Sequence, residues 1–398
     1  MFKFLKLQDL NIKNKIVLLR LDLNVPLKFK RKKAIIEDDN RIKKALPTIE
    51  YCMKNAKKTI IITHLGRPEK RDKNRFNLDV IANKLSKLLK IEVRKINGCI
   101  GEKVEKEIKK FKSNKYEKLI LLENLRFYEQ EEKNDKRFAR KLASYSNIYV
   151  NDAFSVSHRK HASIHAITNY IKSCAGFQLQ NEVEKLNLVS KKRPLMVLLG
   201  GSKLETKISL IKNLHADMFL IAGKMCFAFL EAQGYNIGET NIDKKEIVLA
   251  KEILKLPKII ILPVDIIIGE NPKNRSKVAM ANNIPDKMIG YDIGPKTVDL
   301  FKKHLERAKT IFWNGPLGYF EERKFDSTKD IGKFLSNLKS TIIIGGGETV
   351  DALNKYKINE NKFSFVSTGG GASLAYISGE EMPGLKALDD AYGKFSKN

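Results

Sequence analysis

Two glycine runs in this 398-residue sequence each come within two residues of the end of a short apolar run. The first lies in "TIIIGGGETV", Thr341 to Val350, and the second in "FSFVSTGGGAS", Phe363 to Ser373. Because glycine has no side chain, a ligand can approach the backbone closely at such a junction. Where a helix begins next, the free N–H groups bind phosphate well. The two junctions together indicate phosphate binding, whereas a glycine run alone is weak evidence for any ligand.

A third glycine-rich stretch, "GGSKLETK", spans Gly200 to Lys207 and contains two lysines. Lys203 and Lys207 are four residues apart, so the spacing predicts that both lie on one face at the start of a helix. Two ammonium groups at a helix start would suit a phosphoryl group in transfer. The alternative is an exposed helix with solvated lysines.

Cationic side chains form a second group of candidates. An arginine fork binds two phosphate or carboxylate oxygens at once, so a convergent set predicts a small, highly charged anion as ligand. The alternative is that each is a surface residue or an ion-pair partner. The set consists of Arg20, Arg41, His64, Arg67, Arg126, Arg159 and His161.

Several common catalytic motifs are absent from the sequence, and the role of one further loop stays open. The stretch closest to a P-loop, "GYDIGPKT" from Gly290 to Thr297, has the wrong spacing, so a P-loop nucleotidase is excluded. The sequence has neither a protein-kinase HRD or DFG set nor an evident Ser-His-Asp or metal-ligand histidine cluster. The loop "WNGPLGYFE" offers Asn314 and Glu321 to hydroxyls or a base, and it could equally be an ordinary strand exit.

Short β-branched runs alternate with helical patterns and must position these groups. Continuous apolar runs are typical of strands buried on both faces, so the sequence predicts an α/β protein with parallel sheets. Ligands of such sheets bind beyond the carboxyl ends of the strands. Cationic side chains follow the strands of the first half, and glycines follow those of the second. The predicted strands lie in "KIVLLRLDL", "KTIIITHLG", "KLILLENLR", "NIYVNDAF", "PLMVLLGGS", "DMFLIAGK", "KIIILPVD", "TIFWNGP", "TIIIGGG" and "FSFVSTGGG".

Composition narrows the class of protein. The net charge of +29 favours anionic partners, although the lysines are scattered as they are on an ordinary solvated surface. The four cysteines form no CxxC pair, which fits a reducing cytosol. The amino-terminal sequence is interrupted by charge, and the most apolar stretch, "KIIILPVDIII", is too short to span a bilayer. We therefore expect a cytoplasmic protein with no membrane partner.

Nine segments in this order resemble phosphoglycerate kinase: "RLDLNVP", "DDNRI", "THLGRP", "LENLRF", "NDAFSVSHRKHAS", "GGSKLETK", "WNGPLGYFE", "GGGETV" and "STGGGAS". The resemblance implies two Rossmann-like lobes, each a parallel sheet flanked by helices, joined by an interdomain helix and hinge. We expect a phosphoglycerate-binding domain at 1–177 with 380–398 packing back on it. The interdomain helix would span 178–193, and the nucleotide-binding domain 194–379.

The resemblance also implies roles for individual residues. Phosphoglycerate would bind Asp22, Leu23, Asn24, Arg41, His64, Leu65, Gly66, Arg67, Arg126 and Arg159, with His158 and His161 in the same basic patch. ADP or ATP would bind Gly201, Lys207, Gly223, Gly294, Asn314, Pro316, Glu321, Gly346, Gly347, Glu348 and Thr349. Glu321 would hold the ribose, and Glu348 the Mg²⁺ that accompanies the nucleotide. The transferred group would be stabilised by Arg41, Lys203, Lys207 and the amides of Gly370 and Gly371.

The implied reaction is reversible transfer between 1,3-bisphosphoglycerate and ADP, giving 3-phosphoglycerate and ATP. Its carboxylate nucleophile is already ionised and needs no general base. Catalysis would come from in-line positioning after the hinge closes.

Several segments depart from the family pattern. Glu348 stands where the family usually has Asp, and Lys224 lies beside the expected adenine slot. A basic turn in "FKRKKAIIEDD" replaces a short acidic one, and "SGEEMPG" changes the region near the carboxyl-terminal hinge.

The alternative function is a basic nucleic-acid-binding protein. It would bind tightly and with a steep salt dependence. The sequence contains no recognisable nucleic-acid module, so we expect no dedicated site of this kind. We expect a monomer.

Overall fold

A computed structural model describes residues 2–30, 33–111 and 117–395. The chain divides into two compact units. Unit 1 comprises Met1–Val183 and Met382–Asn398, and unit 2 comprises Glu184–Glu381. Part of the basic turn noted above, Arg31 and Lys32, lies outside the described residues.

Unit 1 contains a six-stranded parallel sheet and a small antiparallel hairpin, β2–β3. Its strands are β1 (Ile16–Leu21), β2 (Leu27–Lys30), β3 (Lys33–Ile36), β4 (Lys58–Ile62), β5 (Glu92–Lys95), β6 (Glu117–Leu121), β7 (Ile148–Asp152) and β8 (Lys172–Ala175). Its helices before unit 2 are α1 (Asn40–Asn55), α2 (Asp79–Leu89), α3 (Glu102–Lys110), α4 (Glu129–Glu132), α5 (Lys136–Ala143) and α6 (Phe177–Leu186). The division between the units lies within α6.

The unit 1 sheet is buried on both faces because successive side chains of its central strands point to opposite sides. On β1, Leu19 and Leu21 pack in one apolar core with Ile61 of β4. Leu18 packs in the other core with Ile60. The continuous apolar runs in the sequence therefore reflect two cores, one on each face of a parallel sheet.

Unit 2 contains a second six-stranded parallel sheet, an antiparallel sheet of three strands and a pair of two strands. Its strands are β9 (Leu195–Leu199), β10 (Met218–Ile221), β11 (Asn236–Ile237), β12 (Ile260–Ile261), β13 (Asp265–Gly269), β14 (Lys277–Met280), β15 (Asn283–Ile284), β16 (Ile289–Ile293), β17 (Thr310–Asn314), β18 (Thr341–Gly345) and β19 (Phe365–Val366). Its helices are α7 (Ile208–Asn213), α8 (Cys226–Ala232), α9 (Lys244–Leu254), α10 (Pro295–Glu306), α11 (Ser327–Leu335), α12 (Gly347–Lys355) and α13 (Gly371–Ile377).

The chain returns to unit 1 through α14 (Pro383–Phe395). Leu385 and Leu388 of this helix are fully buried, and the Gly384 N–H donates to the Ser157 carbonyl at 2.8 Å. Asp389 accepts a hydrogen bond from the Lys3 N–H at 3.1 Å. Residues 396–398, at the end of the predicted returning segment, lie outside the described residues.

The order of the strands in each sheet indicates where a ligand would bind. The unit 2 sheet has the order β12-β10-β9-β17-β18-β19, the doubly wound arrangement in which the chain reverses direction across the sheet between β9 and β17. The unit 1 sheet, β5-β6-β4-β1-β7-β8, has its corresponding point at β1. Most candidate residues follow the carboxyl ends of strands in these two sheets, whereas Arg41 lies at the start of α1 and Gly294 follows β16 of the antiparallel sheet. The predicted α/β fold with two parallel-sheet lobes is confirmed.

Candidate active site

The cationic residues of unit 1 form one basic cluster at the carboxyl edge of its sheet. Burial lowers the pKa of His64 well below its ordinary value, and the charges of Arg20, Arg126 and Arg41 lower it further. His161 lies in the same field, and its pKa falls to about 4 through burial and the charges of Arg20, Arg159 and Arg126. Both imidazoles are therefore neutral at pH 7.

Arg126 is held in this cluster by contacts to the backbone and to a carboxylate. Burial lowers its pKa to about 10, and the charges of Arg159, Arg20 and Arg67 act in the same direction. Its Nη1 donates to the Gly66 carbonyl, and its Nε lies 3.6 Å from the Glu132 carboxylate. An anion bound among these like charges would relieve their mutual repulsion.

The Asp22 carboxylate organises the loop after β1. Its Oδ2 accepts hydrogen bonds from Arg41 and Ser155, and its Oδ1 accepts one from the Asn24 N–H at 3.1 Å. The Asn24 Oδ1 in turn accepts from the Gly66 N–H at 2.7 Å. These contacts join the loops after β1 and β4 to helix α1 and the 3-10 helix Phe154–Val156.

Leu23 and Leu65 shape the same loops through their backbones. Both side chains are fully buried, and their N–H groups donate to Thr63 Oγ1 at 3.1 Å and Asn124 Oδ1 at 3.2 Å. Gly66 has a φ of +62°, and a Cβ there would lie 2.4 Å from the Phe76 ring. This position requires glycine for packing, whatever the loop binds.

In unit 2 a cavity of about 520 Å³ lies at the carboxyl ends of β9, β10 and β17. The strand ends are tied together: the Gly201 N–H donates to the Pro316 carbonyl at 2.7 Å, and the Gly223 N–H to the Leu317 carbonyl at 2.8 Å. A Cβ on Gly223 would lie 2.4 Å from the Gly201 nitrogen. The close approach of these loops therefore accounts for part of the glycine content.

Other glycines face open space. A Cβ on Gly347, Gly370 or Gly371 would meet no described atom within 4 Å. Gly346 and Gly370 precede α12 and α13 with φ values of +93° and +56°. Packing therefore does not explain the bare backbone at Gly347 and Gly370, which remains accessible to a ligand.

Lys207 and Glu348 both lie near Gly201. Lys207 is 7% exposed, and burial lowers its pKa, whereas the Glu348 and Glu246 carboxylates oppose that shift. The predicted pairing of Lys203 and Lys207 on one helix face is wrong. Lys203 is exposed in a loop, and Lys207 ends the 3-10 helix Glu205–Lys207 before α7 begins.

Part of the cavity wall is formed by apolar and aromatic side chains. Phe227, Ile266, Tyr291 and Leu317 line it, and the ring of Tyr291 stacks on Phe325 with centroids 5.2 Å apart. Lys224 also lines the cavity and is exposed. Such a surface suits a planar aromatic base.

Asp292 lies against this wall and supports it. Its carboxylate accepts hydrogen bonds from the Ser327 N–H at 3.0 Å and from the Ser327 hydroxyl. Burial raises its pKa to about 7. A Cβ on Gly318 would overlap this carboxylate, so the loop after β17 is fitted around it.

The carboxylates near the cavity fit a metal that arrives with a nucleotide. Among the described residues, no group of three His, Cys, Asp or Glu side chains could hold a metal ion by itself. Glu348 and Asp351 both line the cavity, and Glu348 is exposed at the start of α12. Mg²⁺ commonly takes one or two carboxylates and otherwise binds water and substrate phosphates. Glu348 therefore meets that requirement.

A family model described as phosphoglycerate kinase matches residues 7–380. The chain belongs to the phosphoglycerate kinase family. It is 43% identical over 398 residues to phosphoglycerate kinase of Dictyoglomus turgidum, covering 97% of this chain and 98% of that protein. It is 41% identical to cytosolic phosphoglycerate kinase 3 of Arabidopsis thaliana, covering 97% and 98%. The solved phosphoglycerate kinase of Pyrococcus horikoshii is similar with a TM-score of 0.85 and 32% identity, covering 98% of this chain and all of that one.

Membership of the phosphoglycerate kinase family confirms the predicted enzyme class, a phosphoryl-transferring kinase of glycolysis. The nucleic-acid-binding alternative receives no support from these comparisons. Within the part of the chain that the structure describes, no helix is both long and apolar enough to cross a membrane.

Only some of the residues that were expected to bind the nucleotide line the cavity. Of the residues proposed on phosphoglycerate kinase similarity, Gly201, Gly223, Pro316, Glu321 and Glu348 line the cavity. Thr349 and Asn314 are buried and are not among the residues that line it. The Thr349 hydroxyl accepts from the Gly315 N–H at 2.7 Å, and a Cβ on Gly346 would lie 2.8 Å from the Asn314 amide nitrogen. Gly294 precedes α10, where a Cβ would lie 2.3 Å from the Asp265 carboxylate.

Sequence reasoning missed four polar residues that hold these sites: Glu131, Ser163, Ser155 and Asp292. The first two are 0–1% exposed and form a buried network with Arg20. A signal for Ser155 and Ser163 was available, because both lie within the segment "NDAFSVSHRKHAS" that resembles phosphoglycerate kinase.

Proposed function

We propose that this chain transfers a phosphoryl group reversibly between 1,3-bisphosphoglycerate and ADP, giving 3-phosphoglycerate and ATP. The observation that supports this most is the presence of a basic cluster in one unit and a glycine-lined cavity in the other. The first suits a small, highly charged acid, and the second suits a nucleotide.

In unit 1, Arg41, Arg67, Arg126 and Arg159 bind the phosphate and carboxylate oxygens of the phosphoglycerate. The planar guanidinium groups give two hydrogen bonds to one anionic group. The neutral His64 contributes a hydrogen bond without further charge. Asp22 holds Arg41 and Asn24 in place, and the Asn24 Oδ1 accepts a hydrogen bond from the Gly66 N–H.

In unit 2, the wall with Tyr291 and Leu317 binds the base, Glu321 the ribose hydroxyls, and the bare backbone near Gly201 and Gly347 the phosphates. Glu348 would hold Mg²⁺ together with the nucleotide. Bound there, Mg²⁺ neutralises charge on the phosphate oxygens. The shorter Asp is usual in the family at this position.

Catalysis rests on positioning and charge. Lys207, Lys203 and Arg41 neutralise the oxygens of the transferred group, and the N–H groups of Gly370 and Gly371 donate to them. No general base is required, because the accepting carboxylate is ionised. The two substrates bind to different units, so turnover requires a hinge motion that brings them together and excludes water.

A coupled assay with 3-phosphoglycerate, ATP and Mg²⁺ tests the function. We expect ADP to form only when all three are present. A purified, folded chain without this activity would refute the proposal. We further propose a cytoplasmic monomer, in agreement with four buried free cysteines and the cytosolic relative from Arabidopsis. Light scattering on the purified chain measures the oligomeric state.

A further inference from the structure

Arg20 is an unusual member of the basic cluster because it is 1% exposed. Its Nε lies 3.0 Å from Ser163 Oγ, and its Nη2 lies 3.2 Å from Nδ1 of His64. Its Nη1 donates to the Leu21 carbonyl. Each of its three nitrogens therefore has a partner inside unit 1.

The chemistry of arginine fixes the direction of these hydrogen bonds. A guanidinium group has donors and no acceptor, so Nδ1 of His64 and Oγ of Ser163 must both accept. An accepting Nδ1 carries no proton. The His64 ring is therefore neutral with its proton on Nε2, in agreement with the lowered pKa of this residue.

The hydrogen bond from Arg20 also determines how the Ser163 hydroxyl contacts Glu131. Because its oxygen accepts from Arg20, its own proton is free to go to Glu131 Oε1, which lies 2.6 Å away. Glu131 Oε2 accepts the Ser163 N–H at 2.9 Å. Glu131 is 1% exposed, so both of its oxygens are aligned by a single residue.

We propose that Glu131 is a positioning residue that acts through Ser163 and Arg20 to hold His64 as the Nε2–H tautomer. Glu131 does not touch the substrate. It fixes the serine hydroxyl, the hydroxyl fixes the guanidinium group, and the guanidinium group orients the imidazole. Among the described residues the His64 ring has its hydrogen bond to Arg20 and none at Nε2. The Nε2–H group is thus left to donate to an oxygen of the bound acid.

The other tautomer would present a lone pair to that oxygen and repel it. The effect on substrate therefore rests on the function proposed above, whereas the tautomer itself does not. The experiment accordingly has a spectroscopic readout and a kinetic one.

The spectroscopic readout is the ¹⁵N spectrum of the histidine rings in the full-length chain labelled at histidine. The chain has six histidines, and His64→Asn assigns the signal of interest. In the parent protein we expect His64 to be protonated at Nε2. In Ser163→Ala, which removes the acceptor of Arg20 Nε, we expect a mixture of tautomers, and in Ser163→Thr, which restores the hydroxyl, the parent pattern.

The kinetic readout uses Glu131→Gln, which places an amide N–H₂ against a donor. We expect the KM for 3-phosphoglycerate to rise about tenfold in Glu131→Gln and Ser163→Ala, the cost of one hydrogen bond to a charged group. The KM for ATP should stay within about twofold, because the nucleotide cavity lies in unit 2. Asp152→Asn, another buried carboxylate-to-amide change in unit 1, is the matched control and should leave both KM values unchanged.

A His64 ring that carries its proton on Nδ1 in the parent, or that stays wholly Nε2–H in Ser163→Ala, overturns the proposal. So does a Glu131→Gln variant that loses stability while the His64 spectrum and the KM remain unchanged. If Glu131→Gln does not fold, the two Ser163 variants decide. A parent protein without activity on 3-phosphoglycerate would refute the proposed function, and the spectrum would still decide the tautomer.

Discussion

The Lys207 ammonium and the Glu348 carboxylate both lie close to the backbone of Gly201. A Cβ on Gly201 would lie 3.7 Å from Lys207 Nζ and 3.6 Å from Glu348 Oε2. A buried cation and an exposed carboxylate thus face the same bare backbone, as a phosphate with its metal would require.

Gly201→Ala tests the space beside this backbone directly. Gly201 has a φ of +85°, so alanine costs about 1 kcal/mol of folding free energy in backbone strain. Its methyl group would also occupy space near Lys207 and Glu348. We expect the KM for ADP to rise about tenfold, which corresponds to the loss of one good phosphate contact.

Gly234→Ala is the matched control for that experiment. Gly234 has nearly the same φ, +86°, and a Cβ there meets no described atom within 4 Å. Urea unfolding should show similar destabilisation in both variants, with the KM for ADP changed only in Gly201→Ala. Equal KM values would mean that the space beside Gly201 does not receive the nucleotide.

Arg41→Ala tests the proposed catalytic charge in unit 1. Its guanidinium group pairs with Asp22 and is 31% exposed, so its removal should leave the fold intact. We expect kcat to fall about 100-fold or more, as on removal of other groups that stabilise transition-state charge. Arg94→Ala, an exposed arginine on the edge strand β5, is the control. Near-normal turnover of Arg41→Ala would exclude the role.

Two variants of Glu348 test whether its carboxylate binds the metal. Glu348→Asp should keep activity within about threefold, because Mg²⁺ can use either carboxylate. Glu348→Gln should raise the Mg²⁺ concentration for half-maximal activity about tenfold. Glu306→Gln, an exposed change at the end of α10, should have no effect. A severe loss in Glu348→Asp would show that the site is built around the longer side chain.

Two buried carboxyl groups give a defined pH dependence of stability. Burial raises the pKa of Asp152 and Asp292 to about 7. In an unfolded chain the pKa is about 3.9. Between pH 4 and 7 the folded state therefore binds more protons than the unfolded state. The contribution of these groups to the free energy of unfolding falls as pH rises across this interval and is constant above it.

Asp152→Asn isolates one of these contributions. Its Oδ1 accepts a hydrogen bond from the Leu179 N–H at 2.9 Å, but its Oδ2 has no hydrogen-bond partner among the described residues, so deprotonation places a poorly solvated charge in the interior. Compared with the parent, we expect the variant to gain at least about 1 kcal/mol between pH 5 and pH 8. Urea unfolding at both pH values measures this. A variant-to-parent difference that is the same at both would refute the assignment.

The sequence was sufficient for every strand of the unit 2 parallel sheet and for the central strands of the unit 1 parallel sheet, but not for the two edge strands of unit 1. All ten predicted strands are present in the two parallel sheets. Within these two parallel sheets, the two strands without a prediction, β5 and β8, are the edge strands of the unit 1 sheet. An edge strand needs no continuous apolar run, because one side lacks a neighbour. The segment "EVRK" of β5, with one buried residue of four, shows why the pattern failed there.

Some site residues could also be predicted from the sequence, and others could not. Arginines at strand ends were predictable, because strand order brings the carboxyl ends together. Lys203 was placed on a helix by spacing alone, and the positive φ at Gly201 with the turn that follows was not visible. Glu131 could not be recognised either, since an acidic residue among other acids usually lies on the surface. Only the tertiary structure shows that it is buried under Arg20 and Ser163.

Unit 1 is built from two segments of the chain, and these segments are synthesised at different times. Helix α14 completes unit 1, yet all of unit 2 lies between it and α6 in the chain. On the ribosome, unit 2 is therefore complete before the buried Leu385 and Leu388 are available to unit 1. Unit 1 can therefore gain its last helix only after all of unit 2 has been synthesised.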